Sequence, residues 1–371
     1  MTPMATSAQT KPADAKAPPV PSRHRSIGAM LSPKNIGAIY VWIAIIILFS
    51  IIASDTFPTG TTAKSILNQY SVTGLMALSL VIPLACAYYD LSIGYTMGLA
   101  GIVVAELLDK TSMSPVMCGV VTLLVCVAIG LLNGFVVIGL GVDSFIGTLG
   151  TGGILYAITL GVSGNQTITG RVGEDYHKLA STELLGLTLP VFYMLAAMLV
   201  LAYWLQRTQM GRQFYAMGFD RETARLTGIS VNKLGIVAFV VSAVIARFAG
   251  MVLTARVSSG SPDAGPSYLI PAFSAAFLGA TQFFRGRFNP WGAVIAVLLL
   301  GTGDVGLLLV GGPIWTPQLF KGTVLIAAVA LTGFGQNAIR ERLAVLRTRM
   351  RQRGETPTRA DPDAGAPAAP S

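Results

Sequence analysis

The feature that most limits how this chain can fold is a series of ten apolar runs along it. They cover residues 36–54, 65–88, 92–109, 115–139, 144–163, 188–206, 233–255, 268–284, 289–311 and 319–335. Most are long enough to cross about 30 Å of hydrocarbon. Because 53% of the residues are apolar and only 12% are charged, a soluble enzyme of this length is excluded. We predict an all-α polytopic membrane protein with about ten transmembrane helices.

Three of these runs are interrupted or short. The second contains Pro83, the polar stretch YYDLSIG separates the second from the third, and the eighth is short. Broken helices are common where a transporter lines its path. We therefore expect several of the ten helices to be broken.

The positions of the basic residues predict the orientation of the chain. Its formal net charge is +9, which in a membrane protein reports topology rather than nucleic-acid binding, so we expect no nucleic-acid partner. With ten crossings, both ends of the chain and every even-numbered connection lie on the same side of the membrane. Of the 26 Lys and Arg residues, 19 lie in segments predicted to be on that side, namely 1–35, 207–233, 285–287 and beyond 339. Both termini are therefore predicted to be cytoplasmic.

The same pattern divides the chain into three parts. Residues 1–35 are too polar to pack and are interpreted as a disordered cytoplasmic tail, and 36–335 as the transmembrane domain. Residues 336–371 form a basic cytoplasmic tail, in which Leu343, Leu346 and Met350 have helical spacing. We expect this tail to lie on anionic headgroups, with contact to a cytoplasmic partner as the alternative.

No catalytic or metal-binding constellation stands out in the sequence. Cys86, Cys118 and Cys126 lie in apolar runs without a CxxC spacing, and His24 and His177 are remote from them. The cysteines are interpreted as packing residues, and no cofactor is predicted. Since the chain also lacks a GxxxxGK[ST] motif, any nucleotide hydrolysis must come from another subunit. The chain is predicted to be a transport subunit and not an enzyme.

A charged segment, GRQFYAMGFDRETARLTGI at 211–229, lies between two apolar runs on the predicted cytoplasmic side. One interpretation is a solvated connector whose arginines only enforce topology. The other is a docking element: DRETARL can form a short helix with Asp220 or Glu222 at its start and Gly228 as its stop. Gly211 and Gly218 would supply tight turns. A short surface helix of this kind can bind in a partner's groove.

Five stretches, taken in order, resemble the permease subunits of ribose-type ABC importers, a family that carries simple sugars and related solutes into bacteria. The charged segment resembles the family's coupling segment, GRxxYAxGGNxxAAxxxGI. YYDLSIG at 88–94 resembles GxDLSVG, GLLNGFVV at 130–137 resembles GLLNG, and SFIGTLGT at 144–151 resembles FIxTLG. The fifth stretch, 255–281, resembles AR…P.AG.GY…A…LGGT. The resemblance covers about residues 65–335.

This resemblance implies a multi-pass protein of the bacterial inner membrane that works as a homo- or heterodimer. A periplasmic substrate-binding protein would deliver the solute, and ABC ATPase subunits would bind the coupling segment, 207–232. The coupling residues would be Gly211, Arg212, Tyr215, Ala216, Gly218, Asp220, Glu222, Ala224, Arg225, Gly228 and Ile229. A monosaccharide is the expected solute. Branched-chain amino acids, nucleosides, or an ion-coupled secondary transporter are the alternatives.

Some positions depart from the family pattern where glycine or a polar residue is usual. Ala87 and Tyr88 replace Gly-Gly, and Phe219 and Asp220 replace Gly-Asn. Such changes bear on the identity of the solute rather than on the ABC mechanism.

Polar side chains within the apolar runs are the candidates for the translocation path, because a polar group facing lipid is costly. They are Asn68, Asn133, Thr148 and Asp304. Each could instead form only an interhelical hydrogen bond. Arg247, inside the seventh run, is expected either to snorkel to the headgroups or to pair with an acidic group such as Asp304.

Overall fold

The computed structural model describes residues 33–169, 172–284 and 286–330, and nearly all of its regular structure is α-helical. Twelve helices have defined bounds: α1 Pro33–Ile52, α2 Gly60–Ala85, α3 Ile93–Lys110, α4 Pro115–Gly134, α5 Ser144–Ser163, α6 Glu174–Ser181, α7 Leu189–Arg207, α8 Gln209–Phe219, α9 Arg221–Leu226, α10 Val231–Val257, α11 Leu269–Ala280 and α12 Pro290–Leu309. A further helix, α13, covers 316–330. A π-helical turn, Phe135–Gly139, extends α4, and a 3-10 turn, Pro266–Tyr268, precedes α11.

Strand structure is confined, in the described ranges, to a small hairpin and an isolated bridge. Strands β1 (Glu183–Leu184) and β2 (Leu187–Thr188) pair antiparallel. Their two-residue turn, Leu185–Gly186, has positive φ at both positions, as a type I′ turn requires. The hairpin follows α6 in the connection between α5 and α7, the longest connection predicted on the side opposite the charged segment.

A helix begins within a few residues of the start of each of the ten predicted runs. Among the described residues, six helices are long and apolar enough to cross a membrane: α2, α4 with its π turn, α5, α7, α10 and α12. The prediction of a predominantly helical membrane protein is thus confirmed, whereas the count of about ten transmembrane helices stays a prediction. The tails before residue 33 and after residue 330 lie outside the described residues, so the orientation of both termini stays a prediction.

Helix starts follow the sequence where a capping side chain precedes the apolar run. Thr59, Ser114 and Asn289 each accept a hydrogen bond from a backbone N–H in the first turn of α2, α4 and α12. Proline follows at the first position of α4 and α12, where its missing N–H costs nothing.

Helix α2 is the centre of the bundle, because every residue from Ser71 to Ala85 is buried. Helix α10 packs against α2, α3 and α4, and small residues set the spacing between α10 and α3. A Cβ at Gly250 would overlap the carbonyl oxygen of Met97, and one at Gly101 would lie 2.8 Å from Thr254 Oγ1. Close backbone approach of this kind is typical of helix packing in membranes.

The chain between α2 and α3 is not helical, as the YYDLSIG interruption predicted. Helix α2 ends at Ala85, and Ala87 has a positive φ of 57°. Backbone donors exposed by the break are bonded by α5: Tyr89 N donates to Ser144 Oγ (3.1 Å) and Leu91 N to Thr148 Oγ1 (2.9 Å). Because unpaired backbone groups are not tolerated in hydrocarbon, these side chains make the break possible.

The connection after α10 turns back into the bundle. Its first residue, Ser258, has a positive φ of 53°. Gly260 then packs against Gly101, and Gly265 packs against Gly94 near the start of α3. Helix α11 therefore begins inside the bundle, which explains why it has only 12 residues.

Candidate functional site

The charged segment folds into two short helices, α8 and α9, at the end of the bundle where α7 ends and α10 begins. Thr208 caps α8 by accepting from Gly211 N (3.2 Å). Asp220 ends α8 and caps α9, since its carboxylate accepts from Thr223 N (3.0 Å). Gly228, with φ +84°, stops α9. The predicted DRETARL helix and both of its boundaries are confirmed.

Two glycines of this segment have a different role from the one predicted. Gly211 and Gly218 both lie inside α8 and form no turn. A Cβ at Gly211 would overlap the carbonyl oxygens of Trp204 and Leu205, and one at Gly218 would overlap that of Ala85. The tight-turn interpretation was wrong because glycine here allows α8 to approach α7 and the end of α2.

Further contacts fix the segment to the non-helical connections of the bundle. The Arg221 guanidinium lies 4.2 Å from the ring centroid of Tyr88, a cation–π contact to the α2–α3 break. The Tyr215 hydroxyl donates to Phe288 O (2.8 Å), and Arg287 lies 5.4 Å from its ring. Desolvation by burial raises the pKa of Tyr215 to about 12, so its hydroxyl stays a donor at neutral pH.

The opposite face of the segment is exposed. Phe214, Met217 and two of the predicted coupling positions, Gly211 and Ala224, are buried, whereas the other predicted positions are exposed or partly buried. Glu222 and Arg225 are exposed, and neither forms a salt bridge within the described ranges. Phe219 and Leu226 are 70% and 79% exposed. The surface therefore combines unpaired charges with two large apolar side chains, which suits a protein partner.

Two of the predicted path residues, Asn133 and Thr148, belong to one buried polar network around the α2–α3 break. Asn133 Nδ2 donates to Ser92 Oγ (2.7 Å), and Thr151 Oγ1 donates to Asn133 Oδ1 (2.6 Å). Thr148 Oγ1 donates to Ser144 O (2.7 Å) and accepts from Leu91 N (2.9 Å).

Asp90 is the acidic member of the same network. Its carboxylate accepts from Ser92 Oγ (2.6 Å) and from Ser242 Oγ on α10 (2.8 Å). These bonds hold the break against α10.

Asp304, the third predicted path residue, forms a separate buried cluster between α2, α12 and α13. Its Oδ2 accepts from the Tyr70 hydroxyl and pairs with Lys321 Nζ at 2.8 Å. Its Oδ1 has no hydrogen-bond partner among the described residues. The buried charge of Asp304 is thus compensated by Lys321, with one acceptor left over.

Asn68, the fourth, lies at the end of the bundle opposite the coupling segment. Its Oδ1 accepts from Thr188 N (2.9 Å), and its backbone oxygen accepts from Arg256 Nη1 (3.1 Å). It lines an open cavity of about 580 Å³ with other polar residues, Thr61, Lys64, Ser65, Gln69, Glu183 and Arg256. The four predicted path residues therefore fall into three places.

Arg247 follows neither of the two expectations. It is 1% exposed, so it does not reach the surface of the protomer, and Asp304 is paired with Lys321 instead. Within the part of the chain that the structure describes, its Nε and Nη2 have no hydrogen-bond partner, and Cys126 lies beside it.

Sequence reasoning assigned no contact to Arg221 and no docking role to Phe219. It also gave Leu226 only a secondary place among the docking residues. The available signal was the pair of departures from the family pattern. Phe219 stands where glycine is usual, and Tyr88, the partner of Arg221, also replaces glycine. Where a large side chain replaces a glycine of the family pattern, as at these two positions, it offers a contact that glycine cannot make.

Comparisons with known proteins identify a family and relatives of this chain. The profile of the family described as the permease component of branched-chain amino acid transport systems matches residues 62–329. The D-allose transport system permease protein AlsC of Escherichia coli K12 is 32% identical over 80% of this chain and 90% of its own length. The fructose import permease protein FrcC of Rhizobium meliloti is 31% identical over 77% of this chain and 81% of its own.

The ribose import permease protein RbsC of Escherichia coli K12 is 30% identical over 77% of this chain and 91% of its own length. Among solved structures, no significant match was found.

Proposed function

This chain belongs to the family of permease components of branched-chain amino acid transport systems, and from that premise we propose that it translocates a monosaccharide as the membrane subunit of an ATP-driven importer. The observation that carries the solute class is the group of relatives named for allose, fructose and ribose, each about 30% identical over most of both chains. Branched-chain amino acids are the second candidate, favoured by the description of the family.

For topology, we propose ten membrane crossings in the bacterial inner membrane, with both termini and the coupling segment in the cytoplasm. The support is the concentration of Lys and Arg on that side. The β1–β2 hairpin and α6 then face the periplasm, where the substrate-binding protein docks. A second permease chain completes the central path, since one chain encloses only half of it.

The ATPase subunit binds the exposed face of α8 and α9 in this account. Phe219 and Leu226 supply apolar anchors, and Arg212, Glu222 and Arg225, which form no salt bridge with another described residue, supply charges. Apolar anchors that become buried on binding, surrounded by a polar rim, are typical of protein interfaces. The other predicted coupling residues, from Gly211 to Ile229, hold the two helices in place.

Movement of the segment reaches the path through its packed contacts. Gly218 lies on the end of α2, Arg221 lies on Tyr88, and Tyr215 holds the connection before α12. Packed contacts transmit displacement because close-packed interiors deform little. The α2–α3 break, with Asn133 and Thr148 around it, is the element that responds.

We place Asn68, Asn133, Thr148 and Asp304 along the path as groups that stabilise a polar solute or the hydrated wall. Asn68 lies at its outer end, and Asp304 keeps one carboxylate oxygen that no described residue bonds. The network around Asn133 and Thr148 supports the wall through its hydrogen bonds.

The coupling proposal is tested by reversing the charges of Glu222 and Arg225 together, as Glu222→Lys with Arg225→Glu. Loss of a hydrogen-bonded charge at a partly desolvated interface costs about 2–5 kcal/mol. At about 1.4 kcal/mol per tenfold, the dissociation constant for the ATPase should rise roughly 30-fold or more. Binding of the purified ATPase to the detergent-solubilised permease measures this directly.

A matched control is available on α6, where Asp175 and Lys178 form an exposed pair three residues apart. Reversing that pair in the same way should leave ATPase binding unchanged, because α6 lies at the opposite end. Unchanged binding of the Glu222 and Arg225 variant would show that these charges belong to a connector.

A further inference from the structure

The connection between α10 and α11 carries a carboxylate deep into the bundle. Met97 lies level with Gly250, and Gly101 lies level with Thr254, so α3 and α10 run side by side in the same direction. The returning chain meets α3 in reverse order: Gly260 at Gly101, Pro262 at Gly98 and Gly265 at Gly94. Asp263 therefore sits between the levels of Gly98 and Gly94.

The depth of Asp263 follows from helix geometry. Gly94 is about one turn before Met97, which places it roughly level with residue 247 of α10. At 1.5 Å per residue, the loop returns about 15 Å from the end of α10 at Val257. Asp263 is thus at hydrocarbon depth in the half of the bundle that is proposed to face the periplasm.

One tyrosine contacts this carboxylate, and a second tyrosine packs against the first. The Tyr156 hydroxyl of α5 donates to Asp263 Oδ1 (2.6 Å), and the Tyr95 and Tyr156 rings are 5.9 Å apart and tilted by 60°. Asp263 is exposed and both tyrosines are half-buried. Its second oxygen, Oδ2, has no hydrogen-bond partner within residues 33–169, 172–284 and 286–330.

An exposed carboxylate at this depth does not face lipid, because a charge in hydrocarbon is expensive unless it borders water or a partner. Of these two, a hydrated path is the one that the proposed transport function supplies. A carboxylate accepts hydrogen bonds from neighbouring hydroxyl groups, and the apolar faces of aromatic rings pack on C–H groups. A polyhydroxylated ring presents both kinds of surface.

We propose that Asp263, Tyr156 and Tyr95 form a binding subsite for the hydroxyl groups of the transported monosaccharide on the periplasmic half of the path. The proposal rests on the proposed function, which supplies the solute class. A returning loop places such a group well, because irregular backbone at membrane depth occurs where it is buried or lines a cavity. The three residues come from α3, α5 and the loop before α11, so solute at the subsite contacts three different elements of this chain.

The same contact could serve only to clamp the loop onto α5, and two variants separate these roles. Asp263→Asn keeps an oxygen for the Tyr156 hydroxyl but removes the charge and one acceptor. Tyr156→Phe keeps the carboxylate and the ring but removes the bond between them. Asp55→Asn, an exposed carboxylate on the same side of the bundle, is the matched control.

The experiment uses proteoliposomes containing the permease and its ATPase, with the binding protein and a radiolabelled monosaccharide that the wild type imports. A solute subsite predicts that Asp263→Asn lowers uptake at least tenfold, while binding-protein-stimulated ATP hydrolysis stays within twofold of wild type. Tyr156→Phe and Asp55→Asn should lower uptake much less. A clamp gives the reverse: Tyr156→Phe lowers uptake and hydrolysis together, and Asp263→Asn is mild. That result, or wild-type uptake by Asp263→Asn, overturns the subsite.

Thiol labelling covers the case in which Asp263→Asn does not insert. The native cysteines Cys86, Cys118 and Cys126 are buried, so a water-soluble maleimide should label Asp263→Cys well above the wild-type background. Lack of labelling in the inserted variant overturns the hydrated path at this position. If the wild-type complex imports no monosaccharide at all, the proposed function fails. If it imports a monosaccharide and Asp263→Asn does not change that uptake, only the subsite fails.

Discussion

Gly218 packs tightly against the end of α2, and replacing it tests whether that contact carries function. A Cβ at this position overlaps the carbonyl oxygen of Ala85, so α8 must retreat by on the order of 1 Å. Overpacking of this kind costs about 1–3 kcal/mol. In Gly218→Ala part of this cost is offset, because alanine stabilises a helix by about 1 kcal/mol relative to glycine.

A control variant removes this ambiguity. Gly119 lies within α4 and a Cβ there meets nothing within 4 Å, so Gly119→Ala has the helix gain without the clash. The two variants should differ by about 1–3 kcal/mol, equivalent to roughly 5–150-fold in the population of the seated segment. Thermal unfolding in detergent and uptake by proteoliposomes measure the two effects.

Gly218→Ala should unfold at a lower temperature than Gly119→Ala and transport less solute per inserted chain, and Gly218→Leu should be worse in both assays. Transport at the wild-type rate by Gly218→Leu would refute the argument that this contact transmits the motion.

Three further predictions concern backbone strain, a buried ion pair and a partly buried hydroxyl. Ala87→Gly should stabilise the protein by about 1 kcal/mol, since Ala87 has φ 57° and glycine adopts that conformation freely; a lower unfolding temperature would contradict this. Lys321→Met should destabilise by about 3–5 kcal/mol because it leaves Asp304 buried and unpaired, and adding Asp304→Leu should recover most of the loss in thermal unfolding. Tyr215, whose pKa is raised to about 12 by desolvation, contributes stability that is present below pH 10 and lost as the pH rises through 12. Tyr215→Phe should lack this alkaline loss when unfolding is followed from pH 9 to 12.

Much of the local structure was readable because local rules decide it. Asp220 caps α9 and Gly228 ends it, as their residue types indicate. The YYDLSIG break was readable for the same reason, since a polar run within apolar sequence rarely continues a helix. The groups that satisfy the break come from Ser144 and Thr148 on α5, and their pairing with Tyr89 and Leu91 depends on tertiary packing.

Features set by tertiary contacts were not readable. Gly211 and Gly218 look like turn residues in sequence, but their role is decided by the carbonyls that pack against them. The partner of Asp304 is Lys321, near the start of the last described helix, where sequence alone suggested Arg247 as a candidate. Asp263 looks like part of a surface loop until the packing of Gly94 and Gly98 shows how deep the loop returns.

The most direct test of the central claim is solute uptake by proteoliposomes that contain this permease and its ATPase, with the binding protein outside and ATP inside or absent. The account predicts saturable uptake of at least one monosaccharide that requires both ATP and the binding protein. Uptake driven by an ion gradient without ATP, or ATP-dependent uptake of branched-chain amino acids with no monosaccharide imported, would contradict it.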